Sequence, residues 1–159
     1  MKIAFRQIEA ALTSLHCVPL NRRSEFNARI RNLFRAGLPL PNMKVGRVSN
    51  FDPGSMLKIV FAFELLNLGV APQKAVKSIA RSWPSIREAL SREPHRPLTG
   101  ALCDFFADEI VFQPTDSLPA SGRGAIIIDT KRVIERFLEC LPVAGIDAVD
   151  FTTAMEKTV

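Results

Sequence analysis

A mostly helical chain with small β elements, an α+β fold, is what three observations in this sequence predict. Apolar residues recur at helical spacing in four successive stretches before residue 80. Clear strand-like runs are confined to residues 109–113 and 125–128. Helix-ending punctuation falls between the stretches, at Gly37, Gly69 and a series of prolines.

The first stretch, residues 3–15, places Ile3, Ile8, Leu12 and Leu15 on one side and Arg6, Gln7 and Glu9 on the other. Pro19 and Asn21 close the connection that follows, and Asn21 or Ser24 is suited to cap the next helix. In residues 21–36, Phe26, Ile30, Leu33 and Phe34 fall at i, i+4, i+7 and i+8, one apolar stripe. Arg22, Arg29 and Arg31 lie off that stripe, with Asn27 and Asn32 beside them. Gly37 stops the helix, and Pro39 and Pro41 forbid its resumption. Residues 42–50 carry Gly46, Lys44 and Arg47 without an acid, and fit a small two-stranded wing or a plain loop.

Asp52-Pro53-Gly54-Ser55 is a turn and a helix entry, with Asp52 or Ser55 as cap. From Met56 to Leu68 the chain is apolar nearly all round, interrupted by Lys58, Glu64 and Asn67. Such a helix belongs at the centre of a core. Gly69 ends it, and Pro72 opens a further helix whose Ala75, Val76 and Ile79 fold back on it. Residues 82–100 are polar and proline-punctuated, a connector with a short helix before Pro94. Beyond them come the two strands, a turn-rich loop at 116–124, and a helix capped by Asp129 or Thr130. That helix bears Val133, Ile134, Phe137, Leu138 and Leu141. The tail from Pro142 is low in pattern, with a frayed end.

Charge is distributed unevenly. Of the 159 residues, the first 58 hold ten lysines and arginines against Glu9, Glu25 and Asp52, so the net +5 resides entirely there. A helix with an apolar back and a guanidinium-rich front suits a groove lined by phosphates. The three cysteines are widely spaced, there is no C-x-x-C, and only two histidines occur, so neither a disulfide framework nor a zinc site is supported. The start MKIAFRQIEAALT is amphipathic and carries Glu9, unlike a secretory signal, and no apolar run reaches membrane-spanning length. These features predict a cytoplasmic, nucleoid-associated protein. No phosphate loop, acid–base pair or nucleophile constellation is found, since Asp104, Asp108 and Glu109 have no converging histidine and His16-Cys17 stands alone. No enzymatic activity, cofactor or metal is expected.

Counting from Phe51, the spacing F-x4-M-x2-I-x-F-A-x2-L-x2-L-G-x2-P-x2-A resembles the MerR-type winged helix-turn-helix family. Gly37-Leu38-Pro39-Leu40-Pro41 is similar to the family's G-L-x-x-P after its recognition helix. The resemblance covers about residues 1–80 and implies a winged helix-turn-helix of about four helices. Residues 21–36 would be its recognition helix and residues 42–51 its wing. The connection between the first two helices is longer than the family's, and Ser49 stands where the family has its wing arginine.

Together these features predict a sequence-specific transcription regulator of bacterial or phage type that binds duplex DNA. Its expected contacts are Arg22, Arg23, Asn27, Arg29, Arg31 and Arg35 from the helix, and Lys44 and Arg47 from the wing. The alternatives are an excisionase-like architectural protein of a mobile element, or an adaptor or anti-regulator docking an acidic protein. The expected organisation is a DNA-binding domain (1–80), a connector (81–100) and a small αβ unit (101–159). The family's long antiparallel dimer helix would follow Ile79, where Trp83-Pro84, Pro94 and Pro97 interrupt the chain. Self-association or a contact to transcription machinery is therefore assigned to residues 101–145. The other possibility is that this unit folds back to complete the core around Met56 and Leu68. No membrane partner is expected.

Overall fold

A computed structural model describes residues 1–39, 51–91, 98–101, 110–114 and 125–156 of the chain. Its described part is mostly helical with short strands, as the periodicities predict. The elements in order are α1 (Phe5–Leu15), a 3-10 turn (Leu20–Arg22), α2 (Arg23–Arg35), α3 (Pro53–Asn67) and α4 (Pro72–Ser91). Then follow β1 (Leu98–Ala101), β2 (Val111–Pro114), β3 (Ala125–Ile128), α5 (Thr130–Cys140), a second 3-10 turn (Pro142–Ala144) and α6 (Ala148–Glu156).

Helix α3 is the centre of the molecule, because ten of its residues from Pro53 to Leu65 are buried. Asp52 caps it, accepting from the Ser55 N–H at 2.7 Å and the Ser55 hydroxyl at 3.0 Å, with Pro53 in the first turn. Around it, α1 buries Ile8, Ala11, Leu12 and Leu15, and α2 buries Phe26, Ile30, Leu33 and Phe34. Ile3 precedes α1 in an antiparallel bridge to Phe51, with N–H···O distances of 2.8 and 2.7 Å. Neither Asn21 nor Ser24 caps α2. Its N-cap is Arg22, because the 3-10 turn feeds directly into the helix.

Three helices end by the same device. At the ends of α1, α2 and α3 two bonds reach back across the last turn: Val18 N–H to Thr13 and Cys17 N–H to Ser14, Leu38 to Leu33 and Gly37 to Phe34, Val70 to Leu65 and Gly69 to Leu66. The pivot residue is left-handed each time, with φ of 48° at Cys17, 105° at Gly37 and 82° at Gly69. Glycine adopts that conformation without strain, so two of the three stops are visible in the sequence.

The connector expected at residues 81–100 is corrected by α4, which runs unbroken through Pro84 to Ser91. Pro84 removes one N–H, whose acceptor would be the Ala80 carbonyl four residues back. Ala80 and Pro84 are both exposed, so the lost bond falls on the solvent side of the helix, where it costs least. The second half of α4 buries Ser82, Ile86 and Leu90 against a sheet of order β2-β1-β3, both pairings antiparallel. β1 was not foreseen among the polar residues before Gly100. β2 lies at the edge of that sheet, and its free N–H groups are taken up by α4. The Ile110 N–H donates to the Ser78 hydroxyl at 2.6 Å, and the Phe112 N–H to the Ser82 hydroxyl at 2.8 Å. Two serines at i, i+4 thus meet donors that would otherwise be buried unpaired.

Asp129 caps α5 through the Arg132 N–H at 3.0 Å. The α5 stripe does not remain open for a second copy, because Ile134, Phe137 and Leu141 join the same hydrophobic cluster as α1, α2 and α3. Gln7 donates to the Ala144 and Gly145 carbonyls at 3.3 and 3.4 Å, and Arg136 to the Leu15 carbonyl at 3.0 Å. The tail is also ordered into structure: α6 buries Phe151, whose ring meets Phe137 edge-on at 5.6 Å.

Candidate nucleic-acid interface

The apolar back of α2 fixes which of its residues face outward. Phe34 meets Phe5 at 5.5 Å and stacks on Phe51 at 5.7 Å, and Phe26 meets Phe63 of α3 at 4.9 Å. With that side locked, Arg22, Arg23, Arg29, Arg31 and Arg35 are all exposed. Arg29 pairs with Glu25 at 3.4 Å, both half in solvent, a pair worth little at this exposure. Arg35 donates to Asn32 at 3.3 Å. Among the described residues, Arg22, Arg23, Arg31 and Arg35 have no carboxylate at ion-pair distance. The front of the helix is therefore a cluster of solvated guanidinium groups with one acid among them.

Ser24, Ala28, Arg31, Asn32 and Arg35 form the outward row, at i, i+4, i+7, i+8 and i+11. Ser24 and Ala28 were not singled out as contacts, although the row is simply the complement of the apolar stripe. Their small side chains leave the first two turns of α2 open to close approach. Asn27 has a different position from its expected one. It is half-buried, and its amide donates to the Glu9 carboxylate of α1, which makes it a strut between the two helices. Lys44 and Arg47, and the wing expected over residues 42–51 up to Asn50, lie outside the described residues. The flanks of that segment are firm: Leu38 and Pro39 are buried at its start and Phe51 at its end.

The turn between α1 and α2 is held by His16, to which the sequence reading assigned no role. Its ring lies 5.8 Å from Phe26 of α2 and 5.5 Å from Phe63 of α3, and its Nδ1 is 3.1 Å from the Asn67 amide. Burial lowers its pKa to about 4, with a further push from the Arg136 guanidinium, so the imidazole is neutral at ordinary pH. Nearby Glu64 is displaced upward by burial, partly countered by Arg136. Lys58, one of the ten basic residues of the first third, lies 5.0 Å over the Trp83 ring and is half-buried. Among the described residues no cluster of histidine, cysteine and carboxylate side chains is arranged to hold a metal, and no helix is long and apolar enough to cross a membrane. Neither a protein-family model, nor a curated protein, nor a solved structure matches the chain.

Proposed function

We propose that the protein binds duplex DNA through the outward face of α2, acting as a transcription regulator of winged helix-turn-helix type. The observation that carries this reading is the set of five exposed arginines on α2 and the turn before it, opposed by Glu25 alone and backed by a buried apolar face. Phosphates neutralise such a face, and the guanidinium fork also matches the edge of guanine. Ser24 and Ala28 leave room for the helix to enter a major groove, while Arg31 and Arg35 reach from the same row. Arg22, Arg23 and Arg29 flank it and are assigned to the phosphate backbone, with Lys44 and Arg47 as further backbone contacts. The order of α1, α2, α3 and α4 is compatible with the four helices of the MerR-like arrangement.

Gel-shift titration against genomic fragments at several salt concentrations tests the reading. If about five phosphates are neutralised, log K falls against log salt with a slope of about −4 to −5. Affinity indifferent to salt would remove the electrostatic basis. A footprint confined to one site distinguishes a regulator from an architectural protein, which would protect and bend longer stretches.

A further inference from the structure

A second site lies beside Asn67, at the end of α3. The end of α3, the β3–α5 junction and the end of α1 line a half-open cavity of about 240 Å³. At about 30 Å³ per water-sized unit this holds a molecule of about eight heavy atoms. Leu15, Leu68, Ile128 and Val133 supply apolar wall, and the polar groups are of both signs.

Glu64 is the only acid of α3, and its carboxylate borders the cavity half-buried. Among the described residues it has neither a hydrogen bond nor an ion pair. The nearby Arg136 acts on it through its charge, while one of its guanidinium nitrogens donates to the Leu15 carbonyl. Arg132 borders the cavity as well. Its backbone N–H is engaged by Asp129, but among the described residues its guanidinium has no partner. A simple cation entering here meets two arginines, and a simple anion meets Glu64 and Asp129. A molecule with one charge of each sign satisfies both ends, and the apolar wall receives its body.

We propose that this cavity binds a small zwitterion with an aliphatic body, its ammonium on Glu64 and its carboxylate on Arg132. Asn67 borders the same cavity and holds the His16 ring that packs on Phe26, so occupancy adjoins the base of α2.

The full-length protein is titrated by calorimetry and thermal denaturation with three probes. L-Leucine carries both charges, 3-methylbutylamine lacks the carboxylate, and 4-methylpentanoate lacks the amine. Leucine is expected to bind and raise Tm, and each analogue to bind about tenfold or more weakly. Glu64→Gln and Arg132→Gln are each expected to cost leucine a similar factor. Arg132 is exposed and Gln at position 64 is an uncharged isostere, so both variants keep the fold, as circular dichroism will verify. Binding of the amine as tight as leucine would overturn the proposal, as would leucine affinity unchanged in both variants. So would the absence of heat and Tm shift with all three probes.

Discussion

Helices α2 and α5 are built on the same plan and differ in what their outer faces leave unbalanced. Each sinks an apolar stripe into one shared hydrophobic cluster, Phe26, Ile30, Leu33 and Phe34 from α2, Ile134 and Phe137 from α5. Each carries basic residues outside. On α5 these are Lys131, Arg132 and Arg136, interspersed with Glu135 and Glu139, and Lys131 reaches Glu135 at 3.8 Å. On α2 and the turn before it, five arginines face Glu25 alone. The stripe therefore reports only that a helix belongs to the core. In the proposed reading, the unopposed charge is what distinguishes the DNA-binding face of α2 from the merely solvated face of α5.

If both stripes belong to one core, cutting either should cost alike. Phe34→Ala and Phe137→Ala are each expected to destabilise by about 3–5 kcal/mol. Urea unfolding followed by circular dichroism should shift as a single transition in both variants. A Phe137→Ala protein with two separate transitions would show instead that the C-terminal helices fold as their own unit. Truncation after Ala80 sharpens the point. It cuts α4 midway and strips α5 and α6 from α1 and α3, so the remainder should sediment as an unfolded or aggregating chain.

The charge difference is tested next. Arg31→Ala or Arg35→Ala should weaken DNA binding by about 1–3 kcal/mol, with the larger effect on one sequence if the side chain reads a base. Lys131→Ala on α5 should leave affinity within error, because its charge is balanced by Glu135. Equal losses on both helices, measured by gel shift at fixed salt, would mean that net charge alone attracts DNA.

His16 lies where these two regions meet, against Phe26 of α2, Phe63 of α3 and within the field of Arg136 of α5. Its folded pKa of about 4 lies below the unfolded value of 6.5. Between those values the unfolded chain binds the extra proton, so stability rises with pH there and is complete above about 6.5. Acidification from pH 6.5 to 4 should remove about 1–3 kcal/mol through this group, allowing for its partial exposure. Glu64 acts in the opposite sense: its raised pKa makes the folded state the tighter proton binder, so its contribution falls as pH rises past the ordinary carboxylate range. The difference between wild type and His16→Gln isolates the histidine. An acid limb of the same slope in both would assign it elsewhere.

Much of this arrangement can be read from residues alone, and the failures share a cause. The α2 stripe, the all-apolar α3 and the caps Asp52 and Asp129 are local signals, and each stands as expected. Pro84 misled because proline forbids a bond but not a helix, and the exposure of Ala80 is a tertiary fact. α6 was missed because one buried phenylalanine, Phe151, is too little periodicity to notice. For the candidate interface, the five arginines were legible as unopposed charge. Asn27 was not separable from them, since its partner Glu9 is on another helix. His16 left no local sign of its role, because its contacts come from α2, α3 and α5.

The smallest expected effect concerns Cys17, the pivot from which the chain turns toward α2. Its backbone is left-handed, with φ 48°, in the position that Gly37 and Gly69 occupy at the ends of α2 and α3. A side chain there costs about 1–2 kcal/mol relative to the right-handed region. Glycine would relieve that strain but lose about 0.5–1 kcal/mol through the greater freedom of the unfolded chain. Cys17→Gly is thus expected to stabilise by no more than about 1 kcal/mol, and Cys17→Val, being β-branched, to destabilise by at least about as much. Both are read from urea midpoints. Cys17 is an exposed free cysteine, so Cys17→Gly should leave DNA affinity unchanged. Loss of binding in a variant of unaltered stability would show instead that the cysteine side chain itself belongs to the DNA-facing surface beside Arg22.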